Sequence, residues 1–521
     1  MPSMVVIPSN GYTRRRVLVD RVHSIVSNRV QKDDEQYLVR WNTDDASDQA
    51  PLSWHSIKEL LRCLEHVQDY LEVREKSTEL LEHVQPTTKK RKTPDSGLED
   101  ERRSSPFDPR LYQAQHGGQT PSFSQSPTST PPPPSPPDVY NGVLDADEHG
   151  YIFCRTSTRP DIPKLDISNF PAPYMKHTAQ RSSVDKALAY IRNEYIRRLS
   201  KVTGKDSKPI KLVNLVDSST PSLRFRYISD CILRPGVIRA PPETQTGCQS
   251  CSPHMGRDIG CEYTRKCDCL EYAAVDESRL TDSQVLEYQH ALANGLSTMG
   301  FPKRFPYYAA GTKRERTGCL VSFYLQSRNP VYECNDKCNC GRHCRNKNVQ
   351  FGRQVEVEIF RSADGRGWGL RCTEDLHEGQ FIDTYRGEII TDAEAERREN
   401  ASSSKSKASY LYSLDKFRES EGLDDKDLYV VDGEFMGGPT KFINHSCDPN
   451  CRQYTVSYNR HDVRIYDIAF FACRFIPAGE ELTFDYLDKD DGGEEEEMDE
   501  PGEGAIPCLC GTKKCRKWLW T

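Results

Sequence analysis

The alternation of hydrophobic and polar positions predicts a small folded block near the N-terminus. Residues 17–26 (VLVDRVHSIV) and 35–41 (EQYLVRW) are rich in β-branched and aromatic side chains and are typical of short strands. Residues 53–76 then repeat apolar side chains at helical spacing. We therefore expect a small sheet closed by one helix within residues 14–76.

The C-terminal half shows a second amphipathic helix and then a change of pattern. Residues 182–200 predict a helix with Ser183 as its N-cap. Its apolar face is formed by Val184, Leu188, Ile191, Tyr195 and Leu199. From residue 248 onward the chain is dense in cysteine, and at about residue 352 it shifts to β-rich alternation interrupted by Gly and Asp. This pattern favours a mainly β domain that follows a cysteine-rich region.

Residues 77–164 are predicted to be a disordered Ser/Pro-rich linker. The stretch from 86 to 145 has almost no apolar periodicity, so it lacks the apolar surface that would offset the entropy lost on ordering. The basic run at 89–92 (KKRK) is either a nuclear import signal or a solvated patch. We assign this linker no structure.

The composition favours a soluble intracellular protein built of several blocks. The chain has 521 residues, of which 36% are hydrophobic, and its mean hydropathy is −0.74. No window approaches the ~18 consecutive apolar residues of a membrane span, and the N-terminal apolar run is too short for a signal peptide. A reducing compartment keeps thiols reduced, so the 20 cysteines favour metal binding over disulfides.

Nine cysteines fall into two groups separated by 64 residues. They are Cys248, Cys251, Cys261, Cys267 and Cys269, then Cys334, Cys338, Cys340 and Cys344. The Cys-x-Cys pairs in both groups send neighbouring side chains in different directions, which suits ligands of different metals. Nine thiolates fit three zincs if three sulfurs bridge. The alternative, buried structural cysteines, gives no packing reason for nine clustered thiols in polar surroundings.

Three further cysteines, Cys508, Cys510 and Cys515, lie near the C-terminus. A closed structural zinc site needs a fourth ligand. The segment 444–451 (NHSCDPNC) offers His445, Cys447 or Cys451. If the tail folds back onto that segment, one zinc would tie the two together.

Four short motifs accompany these cysteines. They are GRGWGL (365–370), YRGE (385–388), KFINHSCDPN (441–450) and ELTFDY (481–486). In this order they resemble the pre-SET, SET and post-SET arrangement of histone lysine methyltransferases, and the cysteine spacing resembles the suppressor-of-variegation type. That type methylates lysine 9 of histone H3 in heterochromatin.

The resemblance implies a fold class and a domain organisation. It implies a multidomain protein with a mainly β SET domain between zinc-binding pre-SET and post-SET regions. The predicted blocks are 14–76 (chromodomain-like, α+β), 77–164 (linker), 165–245 (SET-flanking segment), 246–350 (pre-SET), 351–487 (SET), 488–504 (acidic insert) and 505–521 (post-SET). It also implies a three-zinc cluster on the nine cysteines and a fourth zinc on Cys447, Cys508, Cys510 and Cys515.

The resemblance further implies the residues of an active site for S-adenosylmethionine (AdoMet). It assigns Tyr486, Tyr385 and the product-controlling Phe484 to catalysis. It assigns cofactor contacts to Arg366, Gly367, Trp368, Tyr410, Lys441, Asn444, His445 and Trp520. Each of these has an ordinary packing explanation when taken alone, and their joint occurrence carries the prediction. The glycine-rich loop lacks the spacing of a dinucleotide-binding fingerprint, so a Rossmann fold is rejected.

One position departs from the family pattern. The family usually has Arg before its Phe-[Ile/Val]-Asn-His motif, whereas this chain has Lys441. Lysine keeps the charge but lacks the planar guanidinium fork, so we expect weaker contacts there and reduced rather than abolished activity.

The N-terminal block resembles a chromodomain. The matching residues are Tyr37, Leu38, Val39, Arg40, Trp41 and Trp54. Readers of methyl-lysine in that family use a cage of three aromatic rings. Only Trp41 matches a cage position, because the first-strand aromatic is replaced by Val17 and the residues after Trp41 are polar. The alternative is that Trp41 and Trp54 only pack in the core.

These features predict a nuclear, chromosomal enzyme that methylates lysine 9 of the histone H3 tail, with trimethylation as the product. The competing hypothesis is a chromatin-binding scaffold with an inactive SET domain, which the complete set of site residues disfavours. A zinc hydrolase fails because sulfur-rich closed sites leave no position for water. A cysteine nucleophile at Cys447 conflicts with its role as a zinc ligand.

Residues 488–503 hold ten acidic residues and one Lys, which gives this segment a charge of −9 in a chain of net charge −7. The simplest interpretation is a solvated loop. Because the segment lies between Tyr486 and Cys508 and the histone tail is basic, we instead expect a regulator of substrate binding.

Overall fold

A computed structural model gives the fold. It describes residues 4–8, 14–18, 22–42, 52–83, 144–146, 152–154, 171, 173–202, 208–251, 270–309, 316–341, 344–400, 410–458, 462–487 and 506–520. The chain divides into two compact units, residues 1–184 and 185–521. Among the described helices, none has the length and hydropathy needed to cross a membrane.

The N-terminal unit contains the predicted sheet and helix. Its elements are β1 (Met4–Pro8), β2 (Arg14–Leu18), β3 (Val22–Gln31), β4 (Asp34–Trp41), β5 (Leu52–Ser56), α1 (Leu64–His83), β6 (Leu144–Ala146), β7 (Ile152–Cys154) and α2 (Pro173–Arg181). Strands β3, β4 and β5 form an antiparallel sheet in that order. The turn between β3 and β4 places Lys32 and Asp33 at positive φ, as a two-residue hairpin turn requires. Ile25, Leu38 and Val67 lie in the core that this sheet forms with α1.

The structure differs from the expected domain limits on either side of the linker. Helix α1 continues to His83, and the hairpin β6–β7 lies inside residues 77–164, to which no structure was assigned. Helix α2 belongs to the N-terminal unit, whose boundary at residue 184 is C-terminal to the predicted boundary at 164. This helix escaped sequence-based prediction because it covers only nine residues.

The second unit begins with the predicted amphipathic helix. Its helices are α3 (Asp185–Val202), α4 (Asp282–Ala293), α5 (Ser322–Ser327), α6 (Asp392–Asn400) and α7 (Arg418–Glu421). Ile191, Tyr195 and Leu199 of α3 are buried as predicted, whereas Leu188 is only half-buried and Ala187 is buried in addition. Val184 precedes the helix, which begins at Asp185, so Ser183 is not adjacent to its first residue as an N-cap would be. Helix α3 packs against the first strands of the unit, and the hydroxyl groups of Tyr195 and Tyr227 are 2.5 Å apart.

The rest of the second unit is made of short strands, as the β-rich pattern predicted. The strands are β8 (Ile210–Val213), β9 (Arg226–Tyr227), β10 (Ile232–Leu233), β11 (Val331–Glu333), β12 (Val357–Arg361), β13 (Trp368–Cys372), β14 (Phe381–Thr384), β15 (Glu388–Thr391), β16 (Leu411–Ser413), β17 (Tyr429–Asp432), β18 (Met436–Gly437), β19 (Asn444–His445), β20 (Cys451–Tyr458), β21 (Asp467–Ala472), β22 (Thr483–Phe484), β23 (Ile506–Pro507) and β24 (Trp518–Trp520). The larger sheets have the orders β10-β15-β17-β16, β11-β20-β21-β14 and β13-β12-β8. Phe470 and Phe471 of β21 are fully buried in the core.

A buried carboxylate links the cysteine-rich region to the β core. Strand β11 pairs in parallel with β20 and ends at Glu333, directly before Cys334. Glu333 accepts hydrogen bonds from the hydroxyl of Tyr307 at 2.6 Å and from the backbone N–H groups of Asn348 and Val349 at 2.9 and 2.7 Å. A buried carboxylate with several donors fixes its surroundings, because any missing donor leaves it costly to bury. Glu333 therefore holds Cys334 at a fixed place relative to the sheet.

Candidate active site

Two segments far apart in the chain meet in a short parallel pair, β19 and β22. Asn444 lies opposite Thr483 and His445 opposite Phe484. The backbone N–H of Ser446 donates to the carbonyl of Phe484 at 3.0 Å. This pairing brings the NHSC and TFDY motifs together, as the predicted site requires.

Tyr486 is held at both ends by this arrangement. Its hydroxyl donates to the carbonyl of Ile443 at 2.9 Å, and its backbone N–H donates to Nδ1 of His445 at 3.1 Å. Burial raises the pKa of Tyr486, and the neighbouring Tyr410 and Glu481 raise this pKa further. The hydroxyl therefore remains protonated at neutral pH and offers lone pairs rather than a phenolate charge.

His445 is neutral and acts as a structural connector. Since Nδ1 accepts the Tyr486 N–H, Nε2 carries the proton and donates to Sγ of Cys447 at 3.2 Å. Burial lowers the pKa of His445 to about 4, although the carboxylate of Asp485 opposes this shift. His445 thus links Tyr486, which is predicted to be catalytic, to a predicted zinc ligand.

Four aromatic rings, including that of Tyr486, form a row in which each ring contacts the next. The ring centroids of Tyr385 and Tyr412 are 5.1 Å apart, those of Tyr412 and Phe484 are 6.2 Å apart, and those of Phe484 and Tyr486 are 4.7 Å apart. The hydroxyl of Tyr385 donates to the carbonyl of Tyr410 at 2.9 Å. The structure therefore brings together the three residues predicted for catalysis, with Tyr385 and Phe484 buried and Tyr412 and Tyr486 half-buried.

The sequence analysis missed Tyr412. A signal was present, because Tyr410 and Tyr412 are two residues apart and side chains at that spacing lie on one face of an extended chain. Gly433 is required nearby, because a Cβ atom at this position would lie 2.4 Å from the hydroxyl oxygen of Tyr385.

Glu481 joins the predicted cofactor loop to Asn444, and it was also missed. Its carboxylate pairs with Arg366 at 2.6 Å and accepts from Nδ2 of Asn444 at 2.8 Å. Asn444 donates in addition to the carbonyl of Trp368 at 3.2 Å. The signal was an acidic residue inside the ELTFDY motif. Gly367 adopts φ of +85°, which glycine favours, so the predicted loop residues lie next to the NHSC motif as expected.

The ammonium group of Lys441 contacts the ring of Tyr410 and is bound by other groups of the same chain. The nitrogen is 4.3 Å from the ring centroid of Phe225 and 4.6 Å from that of Tyr410, and it donates to the carbonyl of Glu434. Burial lowers the pKa of Lys441 to about 8. The structure thus shows Lys441 supporting Tyr410, while a direct cofactor contact by Lys441 stays a prediction.

The cysteines near the C-terminus meet Cys447, so the structure selects among the three candidate ligands. The sulfurs of Cys447, Cys508, Cys510 and Cys515 all lie within 4.8 Å of one another. Cys447 and Cys508 are 3.8 Å apart, and tetrahedral zinc with bonds of about 2.3 Å places its sulfurs about 3.8 Å apart. Cys451 instead is buried in β20 and contacts Asn450. These four thiols fit one zinc.

Six of the nine cysteines of the predicted cluster are described, and all six are buried together. They are Cys248, Cys251, Cys334, Cys338, Cys340 and Cys344. The sulfurs of Cys334, Cys338 and Cys340 lie within 4.8 Å of one another, and those of Cys248 and Cys251 are 3.5 Å apart. Such spacing fits thiolates that share metals. Cys261, Cys267 and Cys269 lie outside the described residues.

An ion pair connects the C-terminal segment to the TFDY motif. Arg516 contacts both carboxylate oxygens of Asp485 at 2.8 and 2.5 Å. Such two-point contacts are geometrically specific. Strand β24 reaches Trp520, opposite Ile506 of β23, but the Trp520 side chain lies outside the described part of the structure, as does the acidic insert at 488–503.

Comparison with known proteins agrees with this site. The SET domain family model matches residues 367–487, and the Pre-SET motif model matches residues 202–347. The H3 lysine-9 specific histone-lysine N-methyltransferase KMT1 of Fusarium mangiferae is 41% identical over 322 residues, which span 60% of this chain and 88% of that protein. The dim-5 enzyme of Neurospora crassa, of the same described specificity, is 39% identical over 317 residues, with 60% and 88% covered. A third such enzyme, from Schizosaccharomyces pombe, is 34% identical over 334 residues, with 63% and 58% covered.

Proposed function

Because this chain belongs to the SET-domain histone-lysine N-methyltransferases, we propose that it methylates lysine 9 of histone H3. The observation that carries the proposal is the meeting of Tyr385, Phe484 and Tyr486 next to Asn444 and the glycine-rich loop. The specificity of the similar enzymes supports lysine 9 as the target.

AdoMet supplies a methyl group on a positively charged sulfur, and transfer to an amine is an in-line displacement. The enzyme must therefore hold the uncharged amine of the substrate lysine in line with the methyl–sulfur bond of AdoMet. A channel of aromatic rings suits this task, since burial away from water disfavours the ammonium form of lysine. The channel walls also restrict the side chain to an extended path, which lowers the entropic cost of alignment.

The two tyrosine hydroxyls have matching roles. The hydroxyl of Tyr486 donates a hydrogen bond to the carbonyl of Ile443, and that of Tyr385 donates one to the carbonyl of Tyr410. Both hydroxyl oxygens therefore keep their lone pairs for the channel. Lone pairs stabilise the positive charge that spreads over the methyl group and the amine during transfer. Neither tyrosine needs to ionise, in keeping with the raised pKa of each.

The product and the metals complete the proposal. Phe484 brings no hydroxyl to hold the amine or a water, which leaves room for added methyl groups, so we infer trimethylation.

We also infer four zincs, three on the nine-cysteine cluster and one on the set around Cys447. Their chemistry is structural, because four thiolates close each site to water.

The N-terminal unit is proposed to be chromodomain-like and to bind trimethyl-lysine weakly or not at all. Its three-stranded sheet and closing helix fit that fold. The face of Trp54 is covered by the guanidinium of Arg29 at 4.1 Å, so this ring is already engaged with a cation of the chain. Action on chromatin further implies a nuclear, heterochromatic location.

The direct test is mass spectrometry of histone H3 tail peptides incubated with AdoMet and the full chain. We expect methylation of a peptide that carries the target lysine, the ninth residue of histone H3, and none when that lysine is replaced by arginine. Tyr486→Phe should lose activity, while Tyr272→Phe, at an exposed tyrosine, should keep it. Equal methylation of both peptides, or an unchanged Tyr486→Phe enzyme, would overturn the assignment.

A further inference from the structure

The short helix α2 packs against β3, although 89 residues (84–172) separate it from the end of α1. Met175 and Ala179 are 5% and 4% exposed, whereas Lys176, His177 and Thr178 between them are exposed. Residues four apart share one face of a helix. Helix α2 therefore uses one small apolar face to complete the core of the N-terminal unit.

Arg74 of α1 fixes the far end of α2. Its guanidinium donates to the carbonyl of Gln180 at 3.0 Å and to the carbonyl of Ser182 at 3.1 Å. The last carbonyls of a helix lack partners within the helix, and a cation there also complements the helix dipole. The chain is thus held at Ser182, just before α3 begins at Asp185.

We propose that α2 stays packed on β3 in solution, so that the link between the N-terminal unit and the catalytic unit is formed by residues 183 and 184 rather than by residues 84–172. A flexible chain of 89 residues would separate its ends by roughly 50 Å, whereas two or three extended residues span at most about 10 Å. A ligand of the N-terminal unit would accordingly be linked to the catalytic unit through two residues rather than 89, and a shorter link raises the effective concentration.

The proposal predicts that cutting the chain between α1 and α2 does not separate the N-terminal unit from the C-terminal fragment. A protease recognition site placed at residues 156–162 of the full chain, between β7 and α2, would be cleaved after purification. The two fragments should then elute together in size-exclusion chromatography, because α2 lies on the C-terminal fragment and β3 on the N-terminal one. Separation of the fragments of the otherwise unchanged chain would overturn the proposal.

Matched variants identify α2 as the cause. Met175→Asp places a charge in the buried face and should abolish co-elution after cleavage, while Lys176→Asp, at the exposed neighbour, should retain it. Arg74→Ala should weaken retention more than Lys76→Ala on the same helix. Histone methylation by the uncut Met175→Asp protein serves as the folding control for the catalytic unit. If cleaved Met175→Asp stays together as well as the parent, α2 is not the joint and the proposal fails.

Discussion

The ammonium nitrogen of Lys441 lies 4.6 Å from the ring centroid of Tyr410 and 4.3 Å from that of Phe225. We expected a weaker contact at position 441 because lysine lacks the guanidinium fork of arginine. In the structure this position holds a point cation within 4.6 Å of two aromatic ring centroids, a contact for which lysine is suitable.

Lys441→Met should therefore raise the Michaelis constant for AdoMet by about 10-fold or more, because desolvated cation–π contacts contribute ~2 kcal/mol and 1.4 kcal/mol corresponds to tenfold. Lys441→Arg should stay within about threefold of the parent. Steady-state kinetics with varied AdoMet would measure both, with Lys426→Met, whose side chain is 78% exposed, as the control. An unchanged constant in Lys441→Met would show that Tyr410 needs no such support.

Phe484→Tyr should shift the product from trimethyl toward mono- or dimethyl-lysine. The added hydroxyl would hold the amine or a water among Tyr385, Tyr412 and Tyr486 and occupy the space of a further methyl group. Mass spectrometry at excess AdoMet gives the distribution, and Phe475→Tyr, at a half-exposed ring, controls for the substitution itself. A parent enzyme that stops at monomethyl would contradict the argument.

Zinc content should be four per chain, and Cys508→Ser should reduce it to three. The thiol of Cys508 lies in the four-sulfur set with Cys447, whereas Cys473 contacts the carbonyl of Pro449 and lies outside that set. Elemental analysis of Cys473→Ser should accordingly still give four. Chelation should destroy activity, since metal binding at such sites is also folding energy. Two or fewer zincs in active protein would refute the cluster.

Replacing residues 490–503 by a neutral Gly/Ser linker should change the Michaelis constant for the histone peptide and flatten its salt dependence. A charge of −9 near a basic substrate acts over a Debye length of about 8 Å at physiological salt. The Michaelis constant for AdoMet should hardly change. Neutralising the exposed Asp424 and Asp425 elsewhere in the unit provides the control. Identical salt slopes would reduce the insert to a plain loop.

Much of the site was predictable because it is written in short local motifs. The NHSC and TFDY segments, the glycine loop and the cysteine spacings each pointed to their chemistry. The contribution of Cys447, rather than Cys451 or His445, to the sulfur set became visible only in three dimensions.

What could not be predicted depends on long-range packing. Glu481 and Tyr412 take part because the segment before β22 places Glu481 beside Asn444 and strand β16 places Tyr412 beside Tyr385. Spacing along the sequence does not reveal such pairs. The packing of α2 on the N-terminal sheet could not be predicted for the same reason, since among its described side chains only Met175 and Ala179 are buried.

The ion pair between Arg516 and Asp485 has a consequence for synthesis of the protein. Asp485 lies between Phe484 and Tyr486, so the catalytic strand receives one of its fixing contacts from a residue translated about thirty positions later. A nascent chain can fold its β core without being able to complete the cofactor pocket. The enzyme should therefore be inactive during synthesis on the ribosome. Activity should begin only after Arg516 has left the exit tunnel and the cysteines beside it have bound their metal.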